Sequence, residues 1–594
     1  MTRRSLRGIG LGLALVAGVG TTIARTPPAS AQQASASIAG EYRGAIGNQH
    51  FVFTLTQAAD GTLSGRLTAP DQGNATFAFD SVTYADGVLS ARLAAIGAGY
   101  EGRRSDAGDS FAGTWSQGGQ NIPLTLRRPG TAAAFTLAPR KIGAVAFEPC
   151  RTADGNTEGL CGTYSVYENR ARRSGRKLAL KIMVLPALSG RPAPDAFLPL
   201  AGGPGQSAID AYTRAAYTEM IRKDRDVVLI DQRGTGGSAP LRCALRDPHS
   251  AQQALGDEIL SARLDACRAQ FARSADLTQY TTSIFAADLE EVRAALGYAE
   301  VDLFGGSYGT RAALEYLRRH GDHVRSIALE GIVAPTYRIP LAFSRALQGS
   351  IDRVLALCAA DAACHKVYPN LAAEFRALLD RLDKQPASMS VQTPGGDQTI
   401  TISRGMFVAA LRPILYLPEA MRAFPMMVHN AYRGDFQLFV AAAAQMRGAL
   451  DKALNRDMAL AVVCGEDMAS TTAAMIRHAT AGTYLGDFQI GQYQRYCARW
   501  PHARVPADFR KPIRSPVPAL LISGALDPVT PPEMAAELAH GFPNSQTVII
   551  PNGTHGTGSL CIDRMIGQFV ASAGKVDTAC AASIQRAPFL TGPP

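Results

Sequence analysis

VDLFGGSYGT, residues Val301 to Thr310, reads as an apolar strand running directly into Gly305-Gly306-Ser307-Tyr308-Gly309, and the Ala-, Leu- and Arg-rich stretch that follows reads as a helix. Glycines on both sides of Ser307 permit a strand-to-helix turn sharp enough to bring two backbones together and lift the serine hydroxyl above a sheet. The G-x-S-x-G spacing occurs once in the chain. Its strand and helix context makes Ser307 the candidate nucleophile.

A serine hydroxyl is a weak nucleophile unless a base lies within hydrogen-bond reach and an acid holds that base in the right tautomer. Downstream, the strand ALLISG (Ala519 to Gly524) ends in Ala525-Leu526-Asp527-Pro528, and TVIIP leads into Asn552-Gly553-Thr554-His555-Gly556. Both residues follow the carboxyl end of a strand, where an open parallel sheet places its ligands. The order serine, acid, histidine assigns Asp527 as the orienting acid and His555 as the base. Upstream, FLPL is followed by Ala201-Gly202-Gly203-Pro204-Gly205. An oxyanion needs two preorganised donors. One is the backbone N–H of Tyr308 and the other that of Gly202 or Gly203, since Pro204 has none. DVVLIDQRGTGGSAP (Asp226 to Pro240) places Asp231 and Arg233 after another strand, as braces for these loops.

Further out, strands alternate with helical stretches: Leu178 to Leu185, Phe197 to Leu200, Asp226 to Ile230, Val301 to Phe304, Ser326 to Leu329, Ala519 to Ile522 and Thr547 to Ile550. Such alternation implies a mostly parallel sheet flanked by helices. With the serine turn it predicts an α/β-hydrolase fold, its core formed by residues 141–337 and 511–594. Residues 338–510 break the alternation. They are mostly amphipathic helix with a hairpin around Pro394-Gly395-Gly396, as expected of a helical lid over an active site. Before the core, residues 38–130 read as about eight short strands separated by turns such as Asp60-Gly61, Asp86-Gly87 and Gly118-Gly119. This predicts a small antiparallel β-barrel or sandwich, joined by a linker at 131–140.

Residues 1–31 carry four arginines and no acid, an apolar run from Ile9 to Val19, and Ala29-Ser30-Ala31. That is the pattern of a signal peptide. The formal charge of +10 falls to +6 without it, and the remainder is not clustered, which argues against a nucleic-acid partner. No second long apolar run follows, so no membrane partner is expected after signal removal. Ten cysteines in an exported chain suggest five disulfides rather than a metal site. Pairing in chain order would join Cys150 to Cys161, Cys243 to Cys267, Cys358 to Cys364, Cys464 to Cys497, and Cys561 to Cys580. The expected location is periplasmic or secreted, and the expected state a monomer.

GGPGQSA (Gly202 to Ala208), DQRGTGGS (Asp231 to Ser238), GGSYGT (Gly305 to Thr310), GALDPVTPP (Gly524 to Pro532) and GTHG (Gly553 to Gly556) occur together and in this order. Jointly they resemble the prolyl aminopeptidase and tripeptidyl aminopeptidase family of α/β-hydrolases over roughly residues 140–585. The resemblance implies a secreted or periplasmic exopeptidase acting on free peptide amino termini without metal or organic cofactor. It implies the same roles for Ser307, Asp527, His555, Tyr308 and Gly203. Ala201 stands where many prolyl aminopeptidases have His, which leans toward the tripeptidyl branch. An enzyme that counts from an amino terminus needs a carboxylate for the ammonium group. Glu330, ending SIALE, and Glu466 with Asp467, in CGEDM, are the candidates. The triad residues do not separate an amide from an ester, so a carboxylesterase or other amide hydrolase stays open. A hydrolase scaffold retired to binding is the third reading.

Overall fold

Alternation of apolar and polar residues turns every second side chain of a strand to one face, so a run of such strands must curl or stack to bury that face. The computed structural model describes residues 37–592 apart from 47–48, 71–74, 106–107, 118–119, 130–135, 153–154, 257 and 394. The expected signal segment, the Gly118-Gly119 reversal and the first half of the expected linker lie outside the described residues. The chain divides between Thr131 and Ala132 into two compact units.

In the first unit the alternating segments form nine strands, one more than the approximate count read from the sequence. They are β1 (Gly40–Ile46), β2 (Gln49–Gln57), β3 (Leu63–Ala69), β4 (Ala75–Ala78), β5 (Ser81–Ala85), β6 (Val88–Leu93), β7 (Ala98–Arg104), β8 (Ser110–Gln117) and β9 (Gln120–Arg127). They make one antiparallel sheet in the order β4-β3-β2-β1-β9-β8-β7-β6-β5, a curled half-barrel rather than a sandwich. Its inner face buries Tyr42, Phe53, Tyr100, Phe111 and Trp115. Edge-to-face packing of Tyr42 on Phe111 and of Phe53 on Tyr100 fills the middle.

The second unit is built on a ten-stranded sheet. Its strands are β10 (Arg140–Ile142), β11 (Val145–Arg151), β12 (Glu158–Tyr167), β13 (Lys177–Leu185), β14 (Ala196–Leu200), β15 (Val227–Ile230), β16 (Val301–Gly306), β17 (Val324–Glu330), β20 (Ala519–Gly524) and β21 (Ser545–Ile550), with β18 (Ala387–Thr393) and β19 (Gly396–Ile402) forming a separate hairpin. The order is β10-β11-β12-β13-β15-β14-β16-β17-β20-β21. From β15 to β21 neighbours run parallel, whereas β10 to β13 form an antiparallel edge. All seven strands expected from the sequence are present. Central strands such as β14, β15 and β20 are buried along their whole length, as strands covered on both faces require.

Between β17 and β20 the chain forms the expected hairpin and a set of helices with an apolar core of its own, centred on Ile351, Phe375, Phe407, Leu411 and Phe439. The ten cysteines pair in chain order: Cys150–Cys161, Cys243–Cys267, Cys358–Cys364, Cys464–Cys497 and Cys561–Cys580. Five disulfides are the pattern of a protein that matures in an oxidising, extracytoplasmic compartment. Among the described residues no single helix is long and apolar enough to cross a membrane.

Candidate active site

The turn after β16 puts Ser307 at φ 53° and ψ −125°, a backbone conformation that non-glycine residues rarely adopt. The neighbouring glycines make it possible. A Cβ on Gly309 would lie 2.0 Å from the carbonyl oxygen of Leu200, and one on Gly305 would lie 2.6 Å from that of Gly309. Ser307 N–H donates to Glu330 O at 2.9 Å, and Thr310 N–H and Oγ1 both donate to Ser307 O, so the strained turn is held from both sides.

Asp527 and His555 reach this serine from the ends of β20 and β21. Ser307 Oγ lies 3.0 Å from His555 Nε2, and His555 Nδ1 lies 2.8 Å from Asp527 Oδ2. A carboxylate only accepts, so Nδ1 carries the proton and Nε2 is left to accept from the serine. Asp527 is fixed in turn: Oδ1 accepts from the N–H groups of Val529 and Thr530, and Oδ2 from Thr530 Oγ1 at 2.7 Å. Thr530 Oγ1 also lies 3.1 Å from His555 Nδ1. Burial pulls the His555 pKa down, but the charge and hydrogen bond of Asp527, and then Glu330, outweigh it and raise it above the ordinary 6.5.

The two segments expected to supply the oxyanion donors flank Ser307. Tyr308 opens the helix Tyr308–His320, so its N–H has no intrahelical acceptor. Gly202 and Gly203 border the same cavity as Ser307, and a Cβ on Gly202 would lie 3.3 Å from that of Ser307. Gly202 N–H is engaged by Gln206 Oε1 at 3.3 Å. The loop is braced as the sequence suggested. Asp231 accepts from Ser207 Oγ, Ile209 N–H and Gly237 N–H, while the fully buried Arg233 bonds Asp288 with two nitrogens.

The lid closes a cavity of about 540 Å³ over the serine. Its walls are largely apolar and aromatic, with Tyr337, Phe343, Tyr416, Leu450, Leu454 and Tyr493, and it also presents Arg412, Arg447 and Arg456. Among the described residues Glu330 is the one carboxylate on its lining. Burial pushes Glu330 up to about 7, opposed by the neighbouring His555 and reinforced by Asp563 and Asp527. The lid also grips the catalytic loops: Ser350 Oγ donates to Leu526 O, and Tyr416 O accepts from Thr554 Oγ1 and Gly556 N–H.

Two of the three carboxylates expected to receive an ammonium group are elsewhere. Glu466 and Asp467 are buried at the junction of lid and core and do not line the catalytic cavity. Asp467 accepts from Arg311 with both oxygens and from Arg510 at 2.6 Å. Glu466 accepts from Thr282 N–H and Thr282 Oγ1, and Thr282 meets the Tyr308 hydroxyl at 2.6 Å. These acids are consumed in fixing the serine turn to the lid. Their partners lie up to 184 residues away, so spacing gave no sign of them. Thr530 and Tyr416, in contact with the triad, were not singled out from the sequence; D-P-V-T, with a hydroxyl three residues after the acid, was the available signal for the first. No group of three or more His, Cys, Asp or Glu placed to hold a metal ion occurs among the described residues.

Comparison with known proteins agrees with this architecture. Residues 196–425 match the family model described as alpha/beta hydrolase fold, and residues 483–580 match that described as TAP-like protein. Serine protease Hip1 of Mycobacterium tuberculosis is 26% identical over 481 residues, spanning 73% of this chain and 90% of that protein. Carboxylesterase B of the same species is 28% identical over 479 residues, 73% of this chain and 88% of that protein. Tripeptidyl aminopeptidase of Streptomyces lividans is 29% identical over 229 residues, 35% of this chain and 42% of that protein.

Proposed function

Because the chain is an α/β hydrolase with a TAP-like segment, we propose that it is an exported serine exopeptidase that removes amino-terminal residues from peptides through an acyl-enzyme. The unbroken line from Ser307 Oγ through the His555 ring to Asp527, at 3.0 and 2.8 Å inside a lidded cavity, carries the serine-hydrolase part of this reading, and Glu330 on the cavity lining together with the TAP-like match supports the exopeptidase part.

In this reading His555 Nε2 takes the proton as Ser307 Oγ attacks the carbonyl carbon. The resulting oxyanion faces the N–H groups of Tyr308 and Gly203. His555 then gives the proton to the leaving amine, the C–N bond breaks, and an acyl ester remains on Ser307. Water, deprotonated by the same imidazole, releases the acyl group and regenerates the serine. Glu330 is the ammonium anchor: it is the carboxylate on the cavity, and a cation beside it would favour its ionised form.

The largely apolar lining favours a second reading, in which the same residues hydrolyse a carboxylic ester or another amide. A panel of amino-terminally free and blocked aminoacyl arylamides, run beside short-chain esters, separates the two. The exopeptidase reading expects blocking to abolish turnover and Ser307→Ala to abolish it for every substrate with the fold intact. Equal rates on free and blocked substrates would defeat the exopeptidase reading, and activity in Ser307→Ala would defeat both.

A further inference from the structure

The catalytic cavity has a larger neighbour of about 960 Å³, a volume suited to a ligand of a few residues. Arg447, Ala453, Leu454 and Arg456 line both, so the two share a wall. That wall is pinned to the oxyanion loop by a bridge between Gln206 and Leu454 and by Asn455 N–H donating to Gly205 O at 2.8 Å. Ser307 and His555 do not line the second cavity.

Its unusual feature is Asp457. This residue lies in the first turn of the helix Arg456–Val462, where an aspartate ordinarily faces water near the exposed N–H groups of its own helix. Here it is 5% exposed, its Oδ2 accepts from Cys243 N–H at 2.9 Å, and its Oδ1 has no hydrogen-bond partner. No ion pair reaches it among the described residues, and burial raises its pKa to about 7, with the Cys243 N–H the one opposing influence. Arg246 and Arg456 on the same lining are engaged by Asp451. Arg242 and Lys452, both exposed, also line the cavity. A buried, half-satisfied carboxyl selects for an N–H donor of positive charge, and the exposed cations select for a negative group.

We propose that this cavity is a second binding site for a free oligopeptide, separate from the catalytic cavity, in which Asp457 receives the protonated amino terminus and Arg242 and Lys452 the carboxylate. The site does not depend on the exopeptidase reading, since its residues take no part in hydrolysis.

The test is calorimetric titration of the Ser307→Ala protein with tetraalanine, N-acetyl-tetraalanine and tetraalanine amide. Tetraalanine is expected to show a binding component that Asp457→Asn weakens about tenfold or more, the scale of a lost charged hydrogen bond, and that Glu330→Gln leaves unchanged. Acetylation should weaken the same component, and amidation should weaken it less. Gly448→Trp provides an independent variant: Gly448 lies within the helix Gln437–Ala453, lines the cavity, and a Cβ there meets nothing within 4 Å. The added indole should block the component without touching Asp457. Absence of binding, equal affinity for the acetylated peptide, or isotherms unchanged by both Asp457→Asn and Gly448→Trp would each overturn the site. Failure of the exopeptidase reading shows separately, as indifference of turnover to amino-terminal blocking.

Discussion

Tyr416 of the lid holds His555 of the core: its ring packs 4.9 Å from the imidazole, and its carbonyl accepts from Thr554 Oγ1 at 2.7 Å and Gly556 N–H at 2.8 Å, one residue to either side. The base is therefore placed partly by the lid.

Thr554→Val removes one of these two bonds while keeping the side-chain volume. A displaced base no longer meets the serine proton in line, and small misplacements of catalytic groups are worth up to about 100-fold in rate. The expected result is a fall in kcat of between about 10- and 100-fold with little change in KM, measured by steady-state kinetics. A rise in KM alone would mean that the lid acts on binding and not on the base.

Thr530 and His555 share Asp527 Oδ2, so the acid is held by more than its own backbone turn. Thr530→Val leaves the bonds from the Val529 and Thr530 N–H groups to Oδ1. One neutral donor to a charged group is worth about 1.5–3 kcal/mol, which predicts a loss in kcat/KM of about 10- to 100-fold. Asp527→Asn is expected to lose about 10⁴-fold in kcat, because an amide favours the wrong imidazole tautomer. A Thr530→Val enzyme as damaged as Asp527→Asn would show that the hydroxyl does more than steady the carboxylate.

The pH dependence follows from His555. Burial lowers its pKa, yet Asp527 and then Glu330 raise it above 6.5. Only the neutral ring accepts the proton of Ser307, so kcat/KM is lost as pH falls, through a midpoint above that value. Glu330→Gln removes the negative charge that Glu330, pushed up to about 7 by burial, carries beside the ring once it is ionised. The proton on His555 is then less stabilised, its pKa falls, and the acid limb moves to lower pH. An amino-terminally blocked arylamide or a short-chain ester, whichever is turned over, gives this profile free of any ammonium contact. A limb that stays put or moves to higher pH would mean that the imidazole does not sense Glu330.

The triad and the sheet were legible in the sequence because each depends on local pattern: apolar strands, glycines where backbones touch, and a polar residue just past a strand's carboxyl end. The β10 to β12 edge was not, because Gly159 and Gly162 and the Cys150–Cys161 link interrupt the alternation that marks a strand. Glu466 and Asp467 misled because a buried carboxylate in a lid looks the same on paper whether it awaits an ammonium group or already holds Arg311 and Arg510. Pairing across 156 and 43 residues leaves no trace in local sequence. Tyr416 was invisible for the same reason, standing 138 residues before Thr554.

Arg311 tests whether the buried cluster is structural. It projects from the helix that begins at Tyr308, and its side chain is 4% exposed against fully buried Glu466 and Asp467. Arg311→Met keeps an apolar stem but leaves two carboxylates facing each other with Arg510 as their remaining cation. Breaking a buried pair from one side destabilises by about 3–5 kcal/mol. Arg311→Lys should recover only part of this, since an ammonium cannot bridge both oxygens of Asp467 as a guanidinium does. The expected order of urea midpoints is wild type, then Lys, then Met. An unchanged midpoint in Arg311→Met, with amino-terminal substrates now bound more weakly, would return Glu466 and Asp467 to the substrate site from which the geometry has removed them.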